Sequence, residues 1–142
     1  MTDIDFYIVA SDSPQARELM ACRLAEKVYK MGRNVHIHTV SASESQTLDR
    51  LLWSFRDGSF IPHTIAEQIN PMDEVAPIII SHSNEVNHHS DVLINLTDKV
   101  PLFFSRFKRV SEIITDKEKT VGRERFKFYR DRGYSLKSHN IQ

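Results

Sequence analysis

Short apolar, β-branched runs alternate along this chain with segments of helical periodicity, and that order restricts the fold more than any other feature. Phe6 to Ala10 (FYIVA) is a run of strand formers. Ser11-Asp12-Ser13-Pro14 follows, with Ser13 placed to cap a helix and Pro14 suited to its first position. Ala16, Leu19, Met20, Leu24, Val28 and Met31 then recur at helical spacing, and Gly32 stands where such a helix ends. Val35, Ile37 and Thr39 alternate with His36 and His38, which predicts a strand over 34–40. Residues 43–55 read as a second helix, with Ser43 and Gln46 in capping-box spacing and Leu48, Leu51, Leu52 and Phe55 facing inward. Residues 77–81, 92–96 and 109–115 read as further strands. Residues 101–107 read as a short helix, and 116–132 as a last helix stopped by Gly133. Strands in alternation with helices imply βα units around a parallel sheet. The expected fold is α/β, a three-layer sandwich on a mostly parallel, Rossmann-like sheet of about five strands. The segment 56–71 reads as a partly ordered connection, 81–90 as a loop and 138–142 as a fraying end.

The 142 residues suit one domain, 1–142, of a size that buries roughly two-thirds of its unfolded surface. The formal net charge is zero, but it is unevenly spread. Residues 1–105 hold 8 Lys/Arg against 14 Asp/Glu, whereas residues 106–142 hold 11 against 5. A sequence-tolerant DNA binder usually has a basic excess overall, so little or no direct DNA binding is expected. Cys22 is the only cysteine, which excludes an intrachain disulfide and a thiolate metal cluster; its apolar helical context marks it as a buried small side chain. Acidic residues precede the first apolar run, the wrong order for a secretory signal, and no apolar stretch nears the ~20 residues of a membrane span. A soluble, cytoplasmic protein is expected.

The densest chemistry lies between Lys119 and Gly133. At about 100° per residue, Lys119, Arg123, Lys127 and Arg130 share one sector of a helix, with Phe126 close beside it. Val121 and Phe128 are expected on the opposite, core side. Like charges gathered on one face repel unless an acidic partner answers them, and the ring among them suits a partner with an apolar end. The pattern favours an acidic, apolar-ended peptide over a generic nucleic-acid surface. A second feature is the run from Leu52 to His63, where Trp53, Phe55, Phe60 and Ile61 flank a turn. Exposed together, Trp53, Phe60 and Pro62 would make a protein-binding patch.

Catalytic signals are absent from the chain. The four glycines, Gly32, Gly58, Gly122 and Gly133, form neither G-x-G-x-x-G nor G-x-x-x-x-G-K-[ST]. The seven histidines lack metal-ligand spacing on a helix and read as strand-surface and loop residues. No G-x-S-x-G occurs, and no cofactor is expected. Two rival classes remain: a nucleotide-binding Rossmann-like enzyme, against which the missing glycine loop counts, and a direct single-stranded nucleic-acid binder using the basic helix.

The chain resembles the chi subunit of bacterial DNA polymerase III holoenzyme along nearly its whole length. The resemblance rests on F-Y-I-V, K-M-G-R-N-V, L-W-S-F with S-F-I-P-H, S-D-V-L-I-N-L and, above all, R-E-R-F-K-F-Y-R-D-R-G-Y. It implies a non-catalytic adaptor that pairs with the psi subunit, and through it with the clamp loader. It also implies binding of the acidic C-terminal tail of single-stranded DNA-binding protein, which ends in Pro-Phe. Carried onto this sequence, the tail site comprises Lys119, Arg123, Phe126, Lys127 and Gly133, and the psi surface comprises Trp53, Phe60 and Pro62. Residues 80–90 depart from the basic, serine-rich loop of the family, being histidine-rich and carrying Glu85.

Overall fold

Each strand pairing in the sheet is parallel, as a chain of alternating strands and helices requires. The computed structural model describes residues 1–58, 60–85 and 88–141. Its elements run β1 (Asp3–Val9), α1 (Ala16–Lys30), β2 (Val35–His38), α2 (Ala42–Ser54), β3 (His63–Ile65), β4 (Ile78–Ser81), β5 (Val92–Asn95), β6 (Arg109–Ile114), α3 (Lys119–Asp131) and β7 (Ser135–Ile141). The strands form one sheet in the order β3-β4-β2-β5-β6-β1-β7.

The sheet thus has seven strands where about five were expected. β3 is three residues long and sits inside the connection read over 56–71, followed by a 3₁₀ turn at Ala66–Gln68. β7 is polar because it is an edge strand with only β1 beside it, paired from Asp3↔Ser135 to Val9↔Ile141. The residues expected to fray from Ser138 onward are therefore laddered to β1 as far as Ile141. Two caps also differ. α1 begins at Ala16 with no side-chain cap, since Ser13 offers only its carbonyl, to Ala16. α2 is capped by Ser41, whose hydroxyl accepts from the Glu44 N–H at 3.2 Å, two residues before the cap read from sequence. The helix expected over 101–107 is one 3₁₀ turn, Phe104–Arg106, and that expected over 116–132 is a 3₁₀ turn at Asp116–Glu118 leading into α3.

Alternation along the strands divides the core into two layers. Val35, Ile37, Ile78, Ile80, Val92 and Ile94 pack under α1 and α2, with Cys22 buried among them. Ile4, Phe6, Leu93, Val110 and Ile114 face the other way, against Phe103, Phe104, Phe107 and Tyr129. His36 and His38 point into this second side and are buried, not surface residues as their sequence context suggests. Among the described residues no long helix covers them. Instead the Phe103 ring meets His38 at 5.0 Å and His36 at 5.9 Å, and Phe107 meets His36 at 5.7 Å.

Burial pushes the His36 imidazole down to about 3, with the neighbouring His38, His89 and His88 acting in the same direction. His38 is lowered too, chiefly by burial. The folded chain therefore keeps these rings neutral, while the unfolded chain protonates them below the ordinary histidine value near 6.5. Stability should be fully present above that value and fall as the pH drops below it, by up to about 1.4 kcal/mol per pH unit for a single site. Urea melts at about pH 7 and 5.5 test this: the loss of stability between them should shrink in His36→Gln.

Candidate functional site

α3 is held to the sheet by polar groups that hydropathy does not mark as core. Its buried residues are Gly122, Arg125 and Tyr129, while Val121 and Phe128, expected inward, are only half-buried. The helix is turned so that its inward sector lies beside the basic stripe, not across from it. Beneath it Glu112 of β6 is fully buried. The Tyr129 hydroxyl donates to Glu112 Oε2 at 2.7 Å, and Asn95 Nδ2 lies within 3.2 Å of both carboxylate oxygens. Arg125 Nε is 3.3 Å from Glu112 Oε1, and its guanidinium also donates to the Thr97 carbonyl. Burial raises the Glu112 carboxyl above its ordinary value, against the pull of Arg125, Tyr129 and Asn95. Tyr129 is raised as well, by burial and then by the charge of Glu112.

Gly122 lets the helix come close. A Cβ there would lie 2.9 Å from two carbons of Ile114. Beside this contact is a cavity of about 280 Å³, lined by Phe6, Ile8, Ile114, Gly122, Phe126 and Ser138, with Lys119 and Arg123 at its margin. Phe126 leans on Phe6 with ring centroids 5.3 Å apart. Lys119 lies 3.7 Å from Asp116, whereas exposed Arg123 has no ion-pair partner among the described residues. Of the residues predicted for this site, Lys119, Arg123 and Phe126 meet at the cavity. Lys127 is exposed one turn further along and does not line it. Gly133 lies beyond the helix end at φ +82°, where Gly133 N–H bonds to Arg130 O and Tyr134 N–H to Tyr129 O. That Schellman turn returns the chain into β7 and needs a residue free to adopt positive φ. Sequence reasoning missed Phe6, Ile8, Ile114 and Ser138. The alternation of FYIVA pairs Phe6 with Ile8 on one face, but nothing in the run tells which helix covers that face.

The second predicted cluster is exposed. Trp53 is 55% exposed and Phe60 80%. Ile61 and His63 are buried between and beyond the exposed Phe60 and Pro62, so an extended segment pins itself by alternate side chains and presents the others outward. His63 Nδ1 sits 2.7 Å from Ile61 O and Nε2 3.2 Å from the Asp49 carboxylate, and the Trp53 ring rests 4.6 Å from the imidazole.

The turn after β1, where a nucleotide phosphate would sit in a Rossmann enzyme, has no glycine, and its Ser13 N–H bonds to Ser11 Oγ at 3.1 Å. Among the described residues no three His, Cys, Asp or Glu side chains are placed to hold a metal ion. No described helix is long and apolar enough to cross a membrane.

An α/β fold without a phosphate loop, carrying an apolar cavity beside an unpaired arginine and a separate aromatic patch, defines a protein whose surfaces suit partner contacts. Residues 1–137 match the family described as DNA polymerase III chi subunit, HolC. The chain is 40% identical to DNA polymerase III subunit chi of Pseudomonas aeruginosa, over 99% of this chain and 98% of that one. It is 30% identical to the subunit of that name from Haemophilus influenzae, over 96% and 95% of the two chains, and 28% identical to that of Escherichia coli, over 96% of each. The chain belongs to the chi-subunit family of DNA polymerase III, and is thus an accessory replication subunit rather than an enzyme.

Removing Arg125 should expose how α3 is held. In Arg125→Met the buried Glu112 loses its cation, at a cost of about 3–5 kcal/mol. Without that charge the Glu112 carboxyl rises further above its unfolded value, so the variant loses stability as the pH increases. Urea melts at about pH 5.5 and 8 should show the larger deficit relative to the parent chain at pH 8.

Proposed function

We propose that this chain is the adaptor that joins the clamp-loader assembly to protein-coated single strands. In this reading the α3 cavity takes the acidic C-terminal tail of single-stranded DNA-binding protein, and the Trp53 surface takes the psi subunit, which connects to the clamp loader. The chain acts as one domain, 1–142, in the cytoplasm. The observation that carries the reading is an apolar cavity bordered by an unpaired arginine on the first turns of a helix. A peptide ending in phenylalanine offers both complements, a ring to bury and a carboxylate to pair. Arg123 binds a carboxylate through two parallel N–H donors. The positive end of the α3 dipole favours the same charge. Lys119 and Lys127 attract the acidic residues that precede the ring and speed encounter. Gly133 contributes indirectly, through the turn that brings Ser138 of β7 to the cavity wall. Such a small interface is weak by itself and gains by avidity on a coated strand.

Arg123→Ala should weaken an acidic peptide ending in Pro-Phe by roughly 10- to 150-fold, the loss of a charge-assisted contact worth about 1.5–3 kcal/mol. Fluorescence anisotropy with a labelled peptide measures it, and deleting the peptide's terminal Phe should hurt more than raising salt from about 0.1 to 0.3 M. An unchanged dissociation constant would return α3 to a solvated face.

Trp53→Ala should sharply reduce co-purification with psi while moving the melting temperature only slightly, because over half the residue is already in water. A core tryptophan would instead cost about 3–5 kcal/mol on truncation. Calorimetry and pull-down on the same preparation separate the two.

A further inference from the structure

The face of the sheet opposite the α3 cavity carries a second groove. It is lined by Asp5 and Tyr7 of β1, the alternate residues to Phe6 and Ile8, with a volume of about 280 Å³. Its rim carries Lys27 from α1, Arg33 from the following turn and Lys137 from β7. All three are exposed, and none has an ion-pair partner among the described residues. A fourth cation, Arg109, is shared with Asp3 at 3.4 Å and Asp5 at 2.9 Å. Asp5 is the only carboxylate among the described residues lining the groove, and it is buried and already answered by both Arg109 and His139. Outside the lining, the Asp91 carboxylate, bonded to Asn34 and Lys108, also feels the charge of Arg33. On the floor the Tyr7 and His139 rings stack at 4.7 Å and 17°, both half-buried. This charge is local: the first 105 residues, which supply Lys27 and Arg33, are net acidic.

We infer that this groove binds the phosphate backbone of single-stranded nucleic acid. Three unpaired cations on three separate elements suit a ligand whose charge repeats along its length, not a ligand with one charged end. The Tyr7 and His139 rings give a base aromatic surface to pack against, tolerant of which base it is. The composition predicts little or no direct DNA binding; a site of three cations departs from that expectation, with low affinity and strong salt dependence. The inference is independent of the tail reading, because the two sites share β1 and β7 but lie on opposite faces.

The test is fluorescence anisotropy of a labelled oligothymidylate with the full chain, starting near 20 mM salt. Three phosphate contacts predict a slope of log affinity against log salt of about −2, at roughly 0.7 per contact on a single strand. Lys27→Glu/Lys137→Glu should lower affinity by ~10-fold or more and flatten that slope. Lys27→Gln/Lys137→Gln should act in the same direction with less strain on folding. Arg123→Ala, on the other face, should leave oligonucleotide binding unchanged while weakening the acidic peptide. The inference falls if the parent chain shows no binding at low salt, or if Arg123→Ala removes binding that the groove variants retain. It falls also if polyglutamate of matched charge competes as well as unlabelled oligothymidylate, which would make the occupant an acidic protein segment.

Discussion

Glu112 and Arg125 meet where water does not reach, and the placement of α3 follows from that contact. Burying two charges is costly, and an apolar pair of similar volume often stabilises a fold more. What the charged pair supplies is a single setting. The carboxylate also receives Tyr129 from the helix and Asn95 from β5, so three elements converge on one group. Rotating α3 by one residue would swing the guanidinium about 100° away and leave both charges unmatched. With Arg125 fixed, Gly122 is pressed onto Ile114, and Lys119, Arg123 and Phe126 are fixed around the cavity.

The sheet also sets the distance between the two proposed partner surfaces. Trp53, Phe60 and Pro62 gather by α2 and β3, at one edge of the sheet. The α3 cavity lies by β1 and β7, at the other. Five to six inter-strand spacings of about 4.8 Å separate them, roughly 25–30 Å. An adaptor benefits from that separation, since two partners held so far apart need not touch.

Much of this was legible in the sequence, and what was not has particular causes. The βα order was clear because buried parallel strands are short apolar runs, as in PIIIS and VLINL. β7 was hidden because an edge strand with one wet side has no such run, and SLKSHNI reads as a tail. β3 was hidden by its length. The basic stripe and the exposed aromatics were visible because charge and ring content mark themselves at fixed spacing. The walls of the cavity were not, since Phe6, Ile8 and Ile114 belong to strands whose covering element depends on the whole topology. Arg125 carried no signal for a related reason: an arginine in the inward sector becomes intelligible only once Glu112 is known to lie beneath it. His36 and His38 look like solvent residues until Phe103 and Phe107 fold over them.

Because β1 and β7 are parallel neighbours, the first and last strands of the chain run side by side and finish at the same edge of the sheet. The start of β1 and the end of β7 are therefore a strand length apart, roughly 20 Å for seven residues. A fusion attached beyond β7 would emerge at the strand ends nearest Ile8, beside the α3 cavity, where it would crowd an incoming peptide. One attached ahead of β1 would emerge at the far end, near Arg109, and leave that cavity open. Joining the two ends to make a circular permutant would need a linker that runs the full height of the sheet, and its path would decide which of the two faces of β1 and β7 stays accessible.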